Sequence, residues 1–123
     1  MNKKNYVLNE KPFQNKNVII HPTAEISQSA ILKSNVVIGK NCSVGHGAYL
    51  SNCTIMPNTK ILDYSVIKDS IIGYNCEIKS WTRIENLSVL GDDVKVNEGL
   101  SLSQEIILPN KEIEADIRER IVL

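Results

Sequence analysis

Two histidines and a single tryptophan are the side chains in this 123-residue chain most able to do chemistry or make a contact. His46 stands in Gly45-His46-Gly47, between residues without side chains, where an imidazole faces solvent. There it is the one candidate general base, suited to deprotonating an acceptor amine or hydroxyl in an acyl transfer. That role needs a partner carboxylate or an acceptor pocket, and none is readable nearby. The plainer reading is an outward turn residue. His21 is the other histidine. A catalytic zinc takes three protein ligands and keeps a fourth position open, so two histidines fall short and no metal site is expected. Gly45-His46-Gly47 shares two glycines with a phosphate loop but lacks the third glycine, the lysine and the helix, so no cofactor site is read there. Trp81, Arg83 and Glu85 alternate along the chain, and a large ring with charges beside it suits a contact surface. The competing reading lays Trp81 over its own wall.

What must position these residues is a period of six. Aliphatic residues open successive steps at Ile20, Ile26, Leu32, Ile38, Val44, Leu50, Met56 and Leu62. The frame then slips by two residues, which places a shortened rung, a bulge or a loop near Asp63–Ser65, and resumes at Val66, Ile72, Ile78, Ile84, Leu90, Val96, Leu102 and Leu108. Six fits neither a helix nor a simple two-sided strand. It is the hexapeptide signature of a parallel β-helix. The fifth place of each step is small or β-branched (Ala24, Ala30, Val36, Cys42, Ala48, Thr54, Cys76, Thr82, Ser88, Val94), as three converging walls require. Every third step has His21, Gly39, Pro57, Gly73, Gly91 or Pro109 in second place, which predicts a Gly/Pro-rich corner and an eighteen-residue coil.

The expected fold class is therefore all-β: a single-stranded parallel β-helix of a little over five triangular coils, left-handed by resemblance to other hexapeptide proteins. Residues 1–17 read as an arm or linker, 18–111 as the β-helix and 112–123 as a cap or tail. In that last stretch Ile113, Ile117 and Ile121 recur every four residues, which fits a short amphipathic helix or an extended segment. Cys42 and Cys76 lie two coils apart on one wall, too far for a disulfide at about 10 Å. They read as core residues, and Cys53, one place earlier in its step, as partly exposed.

Lys plus Arg number 14 and Asp plus Glu 14, so no charge excess points to nucleic acid or an anionic membrane. The N-terminal stretch lacks the apolar centre of a signal peptide, and an odd cysteine count without zinc-like spacing fits a reducing compartment. The expectation is a cytoplasmic protein with no nucleic-acid or membrane partner.

NVIIHPTAEI, SIIGYNCEIKSWTRIENLSVLGDDVKV and IILPNKEI, spread over about residues 17–123, resemble the C-terminal β-helix of mannose-1-phosphate guanylyltransferase (GDP-mannose pyrophosphorylase). The resemblance implies a two-domain parent whose front domain holds GTP and Mg²⁺ and does the catalysis. No position here matches those residues, so this chain implies neither catalysis nor cofactors of its own. What it implies is an assembly or regulatory module that self-associates or binds a full-length guanylyltransferase subunit. Ile20–Ala24 and the terminal IVL lean towards the family's regulatory paralogue, and Leu90–Val94 and the short join before it towards the catalytic one. The rivals to this reading are a stand-alone acyltransferase using His46, and a structural adaptor or a β-helix like those of the translation initiation factor 2B catalytic subunits.

Overall fold

The structure is a computed structural model and describes residues 17–114, 117–118 and 121–122. Every strand pairs in parallel with a strand one coil away, so the chain winds as a solenoid of about six coils. The first wall holds Val18–Ile20, Val36–Ile38, Val89–Leu90, Ile106–Ile107 and Ile121–Val122. The second holds Glu25–Ile26, Ser43–Val44, Lys60–Ile61, Glu77–Ile78, Lys95–Val96 and Glu112–Ile113. The third holds Ile31–Leu32, Arg83–Glu85, Ser101–Ser103 and Ile117–Arg118. Two seven-residue strands, Tyr49–Ile55 and Val66–Ile72, run along the third wall, turn a corner and continue along the first.

The inward file is fully buried: Ile26, Ile38, Leu50, Ile55, Ile61, Ile67, Ile72, Ile78, Ile84, Leu90, Leu102 and Ile107 are each below 2 % exposed. This corrects the expected frame. Met56, Leu62 and Val66 are not core residues; Ile55, Ile61 and Ile67 take their places, and Leu108 yields to Ile107. The missing two residues are not lost together near Asp63–Ser65. One is lost between Leu50 and Ile55 and one between Ile67 and Ile72, at corners turned by Asn52 (φ 51°) and Asp69 (φ 52°). The left-handed backbone of a single Asn or Asp turns the chain tightly enough to drop a residue without breaking either strand.

The small inner places follow the same frame. Cys53, expected to be partly exposed, is the buried one rather than Thr54, and Thr59, Ser65 and Ser70 join the expected Ala24, Cys42, Ala48, Cys76, Ser88 and Val94. Buried hydroxyls here bond to backbone carbonyls, as Thr59 Oγ1 to Gly73 O at 2.6 Å and Ser65 Oγ to Lys79 O at 2.8 Å. Cys42 and Cys76 sit two coils apart, with Thr59 between them, and all three cysteines are free.

The Gly/Pro corner stacks, though not because its glycines need unusual φ. A Cβ on Gly39 would meet Pro57 N at 2.8 Å, and one on Gly91 would meet Pro109 N at the same distance. The next coil presses on these glycines, and the left-handed residues of that corner are Asn41, Asn58, Asn75, Asp93 and Asn110.

The ladder also runs past the expected boundary at 111. Glu112–Ile113 pairs with Lys95–Val96, Ile117–Arg118 with Ser101–Ser103, and Ile121–Val122 with Ile106–Ile107. The four-residue recurrence of Ile113, Ile117 and Ile121 is thus carried by strands rather than a helix. Of the arm expected over residues 1–17, only Asn17 lies within the described residues.

Candidate functional site

The outward faces of the three walls differ. The second wall presents Glu25, Ser43, Lys60, Glu77, Lys95 and Glu112 in register, a polar file with alternating charge over its last four rungs. The first presents Ile19, Val37, Thr54, Ile71, Val89 and Ile106, all apolar but one. Beside that apolar file runs a groove of about 630 Å³, bounded by the corner residues Asn35, Asn52, Asp69 and Leu87. At this corner Asn52 Nδ2 donates to Asp69 Oδ1 at 2.7 Å, and Asn17 Nδ2 to Asn35 Oδ1 at 3.0 Å. The third wall is mixed, with Ile31, Tyr49, Val66, Arg83 and Ser101 in one outward file.

His46 lies at the corner between the second and third walls, beside a shallow depression of about 280 Å³. Its Nδ1 is 2.7 Å from Ser29 Oγ and 3.0 Å from Ser27 Oγ, both one coil earlier. Ser29 Oγ also accepts the backbone N–H of Gly47 at 3.0 Å. Asp63, one coil later, uses Oδ1 to accept the backbone N–H of His46 at 2.9 Å and does not reach the ring. A general base needs a free ring nitrogen and a group on the other nitrogen that stabilises the imidazolium. Here two neutral hydroxyls meet Nδ1, and among the described residues no carboxylate pairs with the ring. The same local arrangement recurs at His21, whose Nδ1 is 2.9 Å from Thr23 Oγ1. Both contacts are those of a polar turn. The two histidines lie on separate corners, and among the described residues no group of three or more His, Cys, Asp or Glu could hold a metal ion.

The cysteines are chemically quiet. Burial raises the thiol of Cys53 to about 12, against an ordinary 9.0, and also raises Cys42 and Cys76. Cys42 Sγ points at Met56 O at 3.0 Å and Cys76 Sγ at Gly91 O at 3.1 Å, so both thiols act as weak donors between coils. A reactive cysteine needs an exposed, electropositive setting, which none of the three has.

Trp81 does not lie over its own wall. Its indole is 63 % exposed and stacks on Tyr64, with ring centroids 4.7 Å apart and planes 18° from parallel. Its neighbour one coil earlier is thus Tyr64. Beneath Tyr64 lies Gly47, where a Cβ would come within 2.5 Å of the tyrosine ring; above Trp81 lies Gly99, where a Cβ would meet nothing within 4 Å. From Trp81 the strand Arg83–Glu85 crosses the third wall, and Leu87, 75 % exposed, stands at the far corner. Glu85 Oε1 is 3.6 Å from Arg83 Nη1 and 3.9 Å from Lys68 Nζ one coil earlier. Tyr64, Lys68 and Leu87 were not identified from sequence. The signal for the first two is the seventeen-residue spacing from 64 to 81 and from 68 to 85, which the expected frame concealed.

Residues 14–123 match the family model described as GMPPB C-terminal domain. Among curated proteins, the chain is 44 % identical over 101 residues to the mannose-1-phosphate guanyltransferase of Schizosaccharomyces pombe, 39 % to the probable mannose-1-phosphate guanylyltransferase 3 of Oryza sativa and 38 % to mannose-1-phosphate guanylyltransferase 1 of Arabidopsis thaliana. Each match covers 82 % of this chain and 28 % of the relative's length, so the chain spans little more than a quarter of those proteins. Among solved structures, the acetyltransferase domain of PglB from Neisseria gonorrhoeae superposes with a TM-score of 0.79 at 20 % identity, covering 84 % of this chain and 52 % of that one. The GDP-perosamine N-acetyl transferase of Caulobacter crescentus superposes at 0.78 and 14 % identity, covering 84 % and 51 %. At these identities the likeness shows the β-helix fold alone.

Proposed function

The chain belongs to the GMPPB C-terminal domain family, and on that premise we propose that it is a non-catalytic assembly or regulatory β-helix of GDP-mannose synthesis. It acts together with a guanylyltransferase subunit, either by joining a full-length copy or by bringing copies of itself together. In this reading the nucleotidyl-transfer domain binds GTP and Mg²⁺, and the β-helix sets how the subunits meet. The observation that carries it is the match of residues 14–123 to a domain described as the C-terminal domain of its family. Two features of the site agree. His46 is tied to two serine hydroxyls with no carboxylate at its ring among the described residues, and large apolar or aromatic side chains such as Ile19, Ile71, Trp81 and Leu87 stand exposed, which suits contacts between proteins.

Two measurements test the proposal. Incubated with GTP, mannose 1-phosphate and Mg²⁺, the purified 123-residue chain is expected to form no GDP-mannose. Mixed with a full-length guanylyltransferase subunit from the same organism, it is expected to co-elute with it. Turnover by the chain alone would overturn the non-catalytic reading. Acetyl transfer from acetyl coenzyme A that disappears in His46→Ala would replace it with the acyltransferase reading.

A further inference from the structure

We propose that Trp81, Arg83 and Leu87, with Tyr64 stacked beneath Trp81, form the docking surface for a second protein chain. That chain lays a flat apolar or aromatic side chain over the open face of the Trp81 indole and brings a carboxylate to Arg83. The inference rests on the reading above, which makes the second chain a full-length guanylyltransferase subunit.

The first argument is backbone strain that burial does not offset. Among the described residues, 14 non-glycine positions have positive φ, and eight are Asn and two Asp, the residues that tolerate this region best. The other four are Gln104 (φ 57°) and three large residues, Tyr64 (φ 62°), Trp81 (φ 63°) and Leu87 (φ 66°). Large side chains at strained positions are ordinarily held there by packing. Tyr64, Trp81 and Leu87 are 47 %, 63 % and 75 % exposed, so the fold alone gives little reason for them.

The second argument is shape. Tyr64 covers one face of the indole, and its own other face is closed by the tight approach of Gly47. The far face of Trp81 is open above Gly99. The third is charge. Lys68 and Arg83 share one carboxylate, Glu85, with contacts of 3.9 and 3.6 Å, so the cluster keeps one positive charge in excess. Arg83 is 51 % exposed, which leaves guanidinium N–H groups for a partner's carboxylate. Tryptophan, tyrosine and arginine, which meet here in Trp81, Tyr64 and Arg83, are the residues around which interfaces concentrate their binding energy.

Trp81 is the only tryptophan, so chain grown with 5-fluorotryptophan gives a single ¹⁹F resonance from the proposed surface. Adding unlabelled full-length guanylyltransferase subunit is expected to shift or broaden it. Trp81→Asn and Arg83→Glu are each expected to weaken the complex at least tenfold. Trp81→Asn keeps a corner residue of the kind used elsewhere, so its melting temperature should equal or exceed that of the parent chain. Lys60→Ala, on the second wall, is expected to bind as the parent does. An unmoved resonance, or a complex whose Kd stays within twofold in both surface variants, would overturn this inference and leave the guanylyltransferase reading intact. No complex with the parent chain at all would overturn both.

Discussion

At the scale of single residues, Cys53 shows what the inner column does to a side chain. Burial raises its thiol to about 12 from 9.0, the nearby Asp69 adds to the shift, and a hydrogen bond from the Ser51 backbone opposes it. The folded pKa lies above the unfolded one, so the resulting stability is complete below pH 9 and is lost as pH rises through about 12. Urea unfolding at stepped pH should show stability falling above pH 9 by up to roughly 1.4 kcal/mol per pH unit for each thiol. Cys53→Ala should lower the neutral-pH baseline and flatten the alkaline slope; an unchanged slope would remove this account. The glycines beneath and above the aromatic pair give a second contrast. Gly47→Ala meets both a positive φ of 64° and the Tyr64 ring at 2.5 Å, whereas Gly99→Ala meets only the φ of 77°. Gly99→Ala should cost about 1 kcal/mol and leave the near-ultraviolet dichroism of the stacked pair unchanged. Gly47→Ala should cost more and diminish that signal. Sequence could name Trp81, Arg83 and Glu85, because residue type and alternation are local properties. It could not name Tyr64, since which ring lies under which depends on counting the coil at seventeen residues rather than eighteen.

Among the elements, the period of six was legible because buried aliphatics must recur wherever a wall turns inward, and no other regular structure has that repeat. What was not legible is where the repeat shortens. The total slip of two residues between Leu50 and Ile72 follows from the sequence, but its division between Asn52 and Asp69 does not. Ile55-Met56 and Ile61-Leu62 are apolar doublets, so either member satisfies the pattern. Only the backbone at the corners decides between them, and in the folded chain Ile55 and Ile61 are each 1 % exposed while Met56 and Leu62 are half-buried outside. Alanine substitutions therefore test the frame directly. Ile55→Ala and Ile61→Ala should each cost about 2–5 kcal/mol, as a cavity in a close-packed core does. Met56→Ala and Leu62→Ala should cost roughly 1 kcal/mol or less. Reversed costs in guanidinium melts would restore the other frame. The C-terminal strands were missed for a related reason: a recurrence of four, with charges between, is also what a helix shows, and only pairing with Lys95–Val96 and Ile106–Ile107 tells them apart.

Taken whole, the molecule is close to one-dimensional. Each coil touches the coil before and the coil after, and every strand pair joins segments about one coil apart. Stability in such a stack is a sum of coil terms and nearest-neighbour terms, so opening begins where a coil has one neighbour instead of two. Among the described residues Val18–Ile20 pairs with Val36–Ile38 alone, and its residues are intermediate or exposed. Leu50, Ile67 and Ile72 lie mid-stack at 0 % exposure, where Tyr49–Ile55 and Val66–Ile72 make the longest pairing in the chain. Native-state hydrogen exchange should therefore give the slowest amides in Tyr49–Ile72 and progressively faster ones towards Val18. A cavity acts differently at the two places. Ile26→Ala, in the first coil, should free that coil alone and leave central protection nearly unchanged. Ile67→Ala weakens both neighbour terms of a middle coil at once, so protection should fall throughout Tyr49–Ile72 and the denaturation curve should broaden as the two halves uncouple. Equal loss of protection along the chain in both variants would mean that the solenoid unfolds as a single unit. In that case the Trp81 surface could not loosen or tighten independently of the coils on either side of it.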